Sequence, residues 1–340
     1  MVLVKKIRKD IIMKLNETPV RTSRNFNINN IKLDDVQIPK EIGEFRNVEM
    51  TYEKDKIDVN QSMEMKSCEL VYGLGEELKA QVAKLANQGL KITTNHMTGS
   101  EMQMKFLLDE NNRQLVDQIE IQANEGTKAT LVLQYETKQD IQAFHNGVLQ
   151  VQAKKNANLH IILVNFMNAT SNHFMSIENT LEENAKVNYT IIDFGGKNSI
   201  TNYYSNLLGK SSNNILNTIY LGKENQLFDL NYIGELRGEK SNIDIQVEGA
   251  LKDKAKKHFK GTIDFKKGCK KATGNENENC MLLSDTAKSL ALPMLLCSEE
   301  EVEGNHSSSA RKNRRQGVIL HHEPRFRKKR SHEANGKSKI

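Results

Sequence analysis

The sequence predicts a mainly β protein built from many short strands, stacked as a solenoid or packed as a sandwich. Three observations predict it. Apolar and polar residues alternate in short runs from about residue 113 to 297: Ile119-Ile121, Leu131-Leu133, Ile161-Leu163, Tyr189-Ile191, Ile219-Leu221, Ile243-Ile245-Val247 and Ile263-Phe265. Polar turns containing Asn or Gly recur just before them, at Asn124-Gly126, Lys155-Ala157, Glu183-Ala185, Ser212-Asn214, Lys223-Asn225 and Lys240-Asn242. No helix-length amphipathic segment separates the strands, which disfavours an alternating βα fold. The turns recur at an irregular interval of about 14 to 31 residues, so a strict repeat is excluded and periodicity leaves solenoid and sandwich both open.

The elements follow in order. Residues 1–112 form a polar N-terminal region. Asn16-Glu17-Thr18-Pro19-Val20-Arg21-Thr22 reads as a turn, with Pro19 restricting the residue before it. A helix is predicted near 76–88. Glu76 and Glu77 place acids in its first turn, Leu78, Val82 and Leu85 form an apolar stripe, and Gly89 fits the position just past its end. Residues 113–310 carry the strands and form the core. Residues 311–340 form a basic tail without apolar periodicity and are expected to be disordered.

Composition narrows the function classes. Of 340 residues, 37% are hydrophobic, with no Trp and 4 Pro, enough to bury a sizeable core. The longest apolar run, Leu159 to Met167, is broken by His160 and Asn165 and falls far short of the roughly 20 residues of a membrane span. The N-terminus, MVLVKKIRKD, lacks an apolar h-region, so a cytoplasmic protein is expected. Cys68, Cys269, Cys280 and Cys297 form no CxxC pair and are expected to be free thiols. The net charge of +6 belongs to the tail. Residues 311–340 hold 11 Lys/Arg against 2 Asp/Glu, leaving 38 against 41 in the rest. The body therefore gives no sign of specific nucleic-acid binding.

The most informative stretch is Leu283 to Ala310. It runs from Ser284-Asp285 through an apolar strand to an acidic cluster, then to His306 between Gly304-Asn305 and three serines. It closely resembles the end of the core domain in the SufB/SufD family of iron–sulfur cluster assembly scaffolds. Thr18-Pro19-Val20-Arg21-Thr22 resembles the N-terminal signature of the SufD side of that family. Gly73-Leu74-Gly75-Glu76-Glu77-Leu78 resembles a helix start of its short members. His258-Phe259-Lys260-Gly261-Thr262-Ile263, Gly268 and Leu282-Leu283-Ser284-Asp285 resemble its last rungs. The resemblance spans roughly residues 16 to 310. It implies a right-handed parallel β-helix with a small helical N-terminal region, and a scaffold rather than an enzyme. It also implies two partners, a SufB-like subunit and a SufC-like ABC ATPase. One departure is Gly304, where many relatives carry a Cys.

His306 is the first candidate site residue. A neutral imidazole can ligate iron or take a proton near pH 7, and His can replace some of the thiolates that hold iron–sulfur clusters. One His cannot hold a cluster. The resemblance implies that a SufB Cys across the heterodimer interface completes a transient site there, with no cluster stably bound. The bland alternative is a loop histidine in a polar turn. Cys297, nine residues earlier, is a second candidate, set against an inert buried thiol. Cys269 and Cys280 flank what reads as a Lys/Glu/Asn-rich loop, whose positive neighbours are expected to lower the Cys269 pKa. Glu299, Glu300, Glu301 and Glu303 read as a solvated turn. Gly73-Leu74-Gly75 reads as a helix cap without the phosphate-loop lysine. His96, His145, His160 and His173 lack metal-ligand spacing and read as structural.

Two other functions fit less of the chain. A β-solenoid carbohydrate-active enzyme needs paired carboxylates on one face. A polyanion-binding protein would use the basic tail through salt-sensitive contacts. The tail has a different explanation. The family continues after this point with Gly-Lys-Ile, an acidic turn and C-terminal helices that contact SufC. Codons can be chosen for RKNRRQGVILHHEPRFRKKRSHEANGKSKI such that a one-nucleotide shift reads GKIDDRALFYIMSRGFEKKEAMKLMVKAK, which has a helical apolar pattern. Residues 311–340 are therefore expected to be a frameshift product, leaving a disrupted C-terminal region. Sequencing the DNA that encodes Ser309 to Asn313 checks this; the shifted frame should encode that helical peptide, and a frame encoding nothing of the kind would end the idea.

Overall fold

The computed structural model describes residues 13–20, 28–33, 36–61, 69–138 and 140–312. The tail from residue 313, Cys68, and Arg21-Thr22 lie outside the described residues. The N-terminal part contains β1 (Met13–Leu15), β2 (Ile31–Leu33), β3 (Val48–Tyr52), β4 (Ile57–Gln61), α1 (Glu76–Leu85), β5 (Gln88–Thr94) and β6 (Glu101–Leu108). There follow β7 (Gln114–Ala123), β8 (Lys128–Thr137), β9 (Phe144–Ala153), β10 (Asn158–Phe166), β11 (Asn172–Leu181), β12 (Lys186–Asp193) and β13 (Asn198–Leu207). The last are β14 (Asn213–Gly222), β15 (Leu227–Leu236), β16 (Asn242–Leu251), β17 (Lys256–Phe265), β18 (Thr273–Leu282), β19 (Lys288–Cys297) and β20 (Glu303–Lys312).

The strands alternate between two nine-stranded sheets, ordered β20-β18-β16-β14-β12-β10-β8-β6-β3 and β19-β17-β15-β13-β11-β9-β7-β5-β4. Every pairing from β5 and β6 onward is parallel, and consecutive strands fall in opposite sheets. That is a parallel β-solenoid, and it settles the choice between solenoid and sandwich. Successive strands of the first sheet begin at Lys128, Asn158, Lys186, Asn213, Asn242, Thr273 and Glu303, so one rung takes 27 to 31 residues. The parallel stack already begins at Gln88, ahead of the boundary expected at 113.

Turn chemistry sets the corners. Asn156, Asn184, Ser211, Glu224, Lys240, Asp253 and Lys271 all take φ between 55° and 58°. Asn and Asp tolerate this left-handed region best; Ser, Glu and Lys hold it because neighbouring turns bond to one another. Asn156 N–H donates to Glu183 O, Asn184 to Lys210 O, Ser211 to Glu239 O, Lys240 to Lys270 O and Lys271 to Glu301 O. A residue strained in an isolated turn is thus held by the rung above.

Most of the alternating apolar residues line the bore between the sheets; the run Ile219-Leu221 is the exception, because β14 turns Leu216 and Tyr220 inward and leaves Ile219 and Leu221 exposed on the outer face. Ile119, Ile121, Leu131, Leu133, Ile161, Tyr189, Ile243, Ile245 and Val247 are buried in one continuous core. A second core covers the outer face of the other sheet. There α1 lays Leu78 and Val82 on Val116, Phe144, Val148 and Phe174. Asn146 pins the helix by donating to Leu78 O at 3.0 Å and Gln81 Oε1 at 2.8 Å. The helix ends three residues before position 88, and Gly89 is a residue of β5 rather than its cap. Asn87 turns the chain into the sheet: its N–H donates to Val116 O, and its side chain bonds Gly43 O, Gln114 O and Val116 N–H.

Several polar side chains inside the bore are bonded across rungs. His145 Nε2 donates to Asp117 Oδ1 at 2.6 Å, and Tyr135 OH donates to Asp117 Oδ2 at 3.1 Å. His145 Nδ1 meets His173 Nδ1 at 2.8 Å, and burial pushes the His173 pKa well down. Asp193 accepts from Ser199 Oγ and Asn165 Nδ2, yet burial raises its pKa to about 6. Its unfolded value is about 3.9. A raised folded pKa gives stability that is full below pH ~4 and is lost as pH rises through about 6. Asp193→Asn should therefore gain on the wild type by about 2–3 kcal/mol between pH 4 and 7. Urea unfolding of both proteins across that range checks this; parallel pH curves would contradict it.

Candidate functional site

Both sheets end on the last rung. β20 pairs with β18 alone and β19 with β17 alone, so each has one unpaired edge among the described residues. On β20 the residues split by face. Asn305, Ser307 and Ser309 bond Asn275, Asn277 and Asn279 on the outside. Ser308 Oγ instead donates to Glu278 Oε2 at 2.8 Å, on the bore side. Alternation then puts His306 on the bore side too, paired in register with Glu276. His306 is exposed and makes no side-chain hydrogen bond among the described residues. It lies on a strand, so the polar-turn alternative does not describe it.

Below His306 the bore changes character. The inward positions of β16 are apolar, Ile243, Ile245 and Val247, whereas their β18 partners are Gly274, Glu276 and Glu278. Lys257, buried on β17, donates to Glu278 Oε1 at 2.5 Å and sits 5.8 Å from the Phe259 ring centre. Burial pulls the Lys257 pKa down and Glu278 opposes that pull. Glu276 has no such partner. It is 1% exposed, neither carboxyl oxygen is hydrogen-bonded, and burial with the neighbouring Glu278 pushes its pKa up to about 8. Opposite it stands Gly261, where a Cβ would overlap the carboxyl.

The other candidates lie apart. Cys297 ends β19, is exposed, and donates from Sγ to Glu299 O at 2.9 Å. No hydrogen bond joins it to His306. Cys269 is buried, and its pKa is raised to about 11 by burial and then by Glu299, the opposite of the lowering expected from nearby lysines. The segment between Cys269 and Cys280 is mostly β18 rather than a loop. Cys280 is buried in the bore beside Tyr220, whose pKa burial raises, with Cys280 adding to it. At Gly304 a Cβ would lie 2.9 Å from Phe265 Cε2, so the ring closes the space a cysteine would need. Glu299, Glu300, Glu301 and Glu303 are exposed except for partly covered Glu299, which accepts from Gly268 N–H. Gly75 caps α1 without a side-chain bond.

Sequence reasoning missed Glu276, Glu278 and Lys257, and it read His145 and His173 as structural without pairing them. The two histidines are 28 residues apart, one rung, and that spacing was the available signal. The alternating Glu276, Glu278, Cys280 also fitted a strand, but nothing in the sequence says which face is inside.

No helix among the described residues is long and apolar enough to cross a membrane. The family model "SUF system FeS cluster assembly, SufBD core domain" matches residues 106–315. Iron-sulfur cluster assembly protein SufD of Bacillus subtilis is 23% identical over 237 residues, covering 68% of this chain and 54% of that protein. The chain thus spans about half the length of this curated relative.

The Lys257–Glu278 pair yields a stability prediction. Glu278→Ala should cost about 3–5 kcal/mol by leaving a buried ammonium unpaired, whereas Lys257→Met with Glu278→Leu should be nearly neutral. Denaturant unfolding of the two variants checks it.

Proposed function

The chain belongs to the SufB/SufD family, and we propose that it is the SufD-like scaffold subunit of a SufBCD-type complex, holding a nascent iron–sulfur cluster at its last rung. Family membership supports a role in iron–sulfur cluster assembly. One observation carries the finer reading. His306 is an exposed imidazole, unbonded among the described residues, on a terminal strand whose outer edge no described strand pairs.

An edge strand offers a row of backbone donors and acceptors to another chain. A SufB-like subunit seated there would bring its own ligands up to His306. The nascent cluster is cargo, held between chains and passed on. His306 supplies one nitrogen to it, and partner thiolates supply the others. Cys297 is exposed on the same rung and remains a subsidiary candidate. The chain itself acts as a scaffold, and ATP hydrolysis belongs to the SufC-like partner. The altered tail weakens contact with that ATPase while leaving the solenoid intact. Reducing cytoplasm is the compartment that suits free thiols and a nascent cluster.

Co-expression with the organism's own SufB-like and SufC-like proteins tests this. The chain and a version with the frame-restored tail should both hold the SufB-like subunit, and only the restored version should hold the ATPase. Within the restored complex, His306→Ala should cut cluster formation, followed by absorbance, by about tenfold with the partners still bound. A complex that assembles clusters equally well without His306 would remove it from the site. Failure of both tail versions to bind either partner would refute the scaffold role.

A further inference from the structure

Glu276 has no structural explanation as it stands. Its register neighbour one rung earlier, Ile245, is apolar and packs in the core. A carboxyl placed here loses water and gains nothing, since neither oxygen finds a donor. The charged group acting on it is Glu278, which repels a negative charge. Lys257 is committed to Glu278, as is Ser308. Yet the fold makes room for the carboxyl. Gly261 leaves out the side chain that would collide with it. The next inward position toward the open end of the bore is His306, about one strand spacing, ~4.8 Å, away. An unpaired acid beside a like charge, with an unbonded imidazole at the next inward position of the ladder, is the electrostatic arrangement that a bound cation resolves.

We propose that Glu276 and His306 form half of a divalent-cation site at the open end of the bore. The inference rests on the reading that His306 faces the assembly interface, and it adds the residue behind His306. One carboxylate oxygen and one imidazole nitrogen suit first-row ions such as Fe(II), Mn(II), Co(II) and Zn(II). Among the described residues no three His, Cys, Asp or Glu side chains converge on a complete cage. Water or a partner chain fills the remaining positions, so the isolated chain binds its ion weakly and exchangeably. Such a site suits an ion in transit to a cluster built from iron.

Anaerobic titration of the purified chain with Co(II), read through its visible d–d absorption, tests the proposal. Wild type and Glu303→Gln, an outward position on the same strand, should bind one Co(II) with equal affinity. Glu276→Gln and His306→Ala should each weaken it by at least about tenfold. Glu276→Gln keeps the side chain's shape and removes a buried acid, so its melting temperature should equal or exceed that of the wild type. A Glu276→Gln titration that superimposes on the wild type overturns the proposal, as does a wild type that gives no protein-bound cobalt spectrum. Co-purification separates this from the scaffold reading. If Glu276→Gln binds cobalt like the wild type and still holds the SufB-like subunit, the cation site alone is wrong. If Glu276→Gln loses cobalt but no version holds a partner, the scaffold reading alone is wrong.

Discussion

The parallel ladder between rungs is the constraint on which everything else depends. Each strand from β7 to β18 satisfies its backbone only by pairing with the rung before and the rung after. The ladder fixes which residues face the bore, because a one-residue slip would turn every inward side chain outward. It also holds seven non-glycine turn residues at positive φ through bonds from one turn to the next. The price of the arrangement falls on the ends, where a strand must be left half-paired.

The two ends are treated differently. At the N-terminal end the antiparallel strands β3 and β4 pair with β6 and β5. Further along, the outer face of the same sheet is anchored by Asn16, whose side chain reaches Thr201 O and Asp229, and whose carbonyl accepts from buried Lys260. At the C-terminal end β20 stands exposed along most of its length among the described residues. Stability and function pull apart at that end. The open strand is a weak point for an isolated chain and, in the scaffold role proposed above, the edge a partner would pair with.

Polar groups inside the bore follow the same logic. Asp117, His145 and Tyr135 satisfy one another across rungs, as do Asp193, Ser199 and Asn165. Lys257 and Glu278 form a buried ion pair whose Coulomb attraction offsets the cost of desolvation. Ser205 and Tyr220 leave a hydroxyl unbonded in the bore, but Glu276 is the acid with neither oxygen bonded, and it sits next to the open end. Buried polar networks that are complete rigidify and specify a core, and the gap at Glu276 is the one the proposed cation would fill. The location of the gap matters as much as the residue.

The sequence by itself determined the strands, their turns and the family. Alternation such as Ile243-Ile245-Val247 needs only neighbours in the chain, and so does an Asn-rich corner like Lys155-Asn156-Ala157. His306 stood out as a candidate through the motif around it, and its role is the proposal made above. What the tertiary structure decided was facing and adjacency. It fixed solenoid over sandwich, since strand order is set by hydrogen bonds between residues about 30 positions apart. It turned Gly89 from a helix cap into a strand residue because Asn87 bonds to Val116. It raised the Cys269 pKa that its lysine neighbours were expected to lower, because burial outweighs nearby charge there. And it placed Glu276 behind His306. Their separation of 30 residues carries no meaning in the sequence until the ladder sets them side by side.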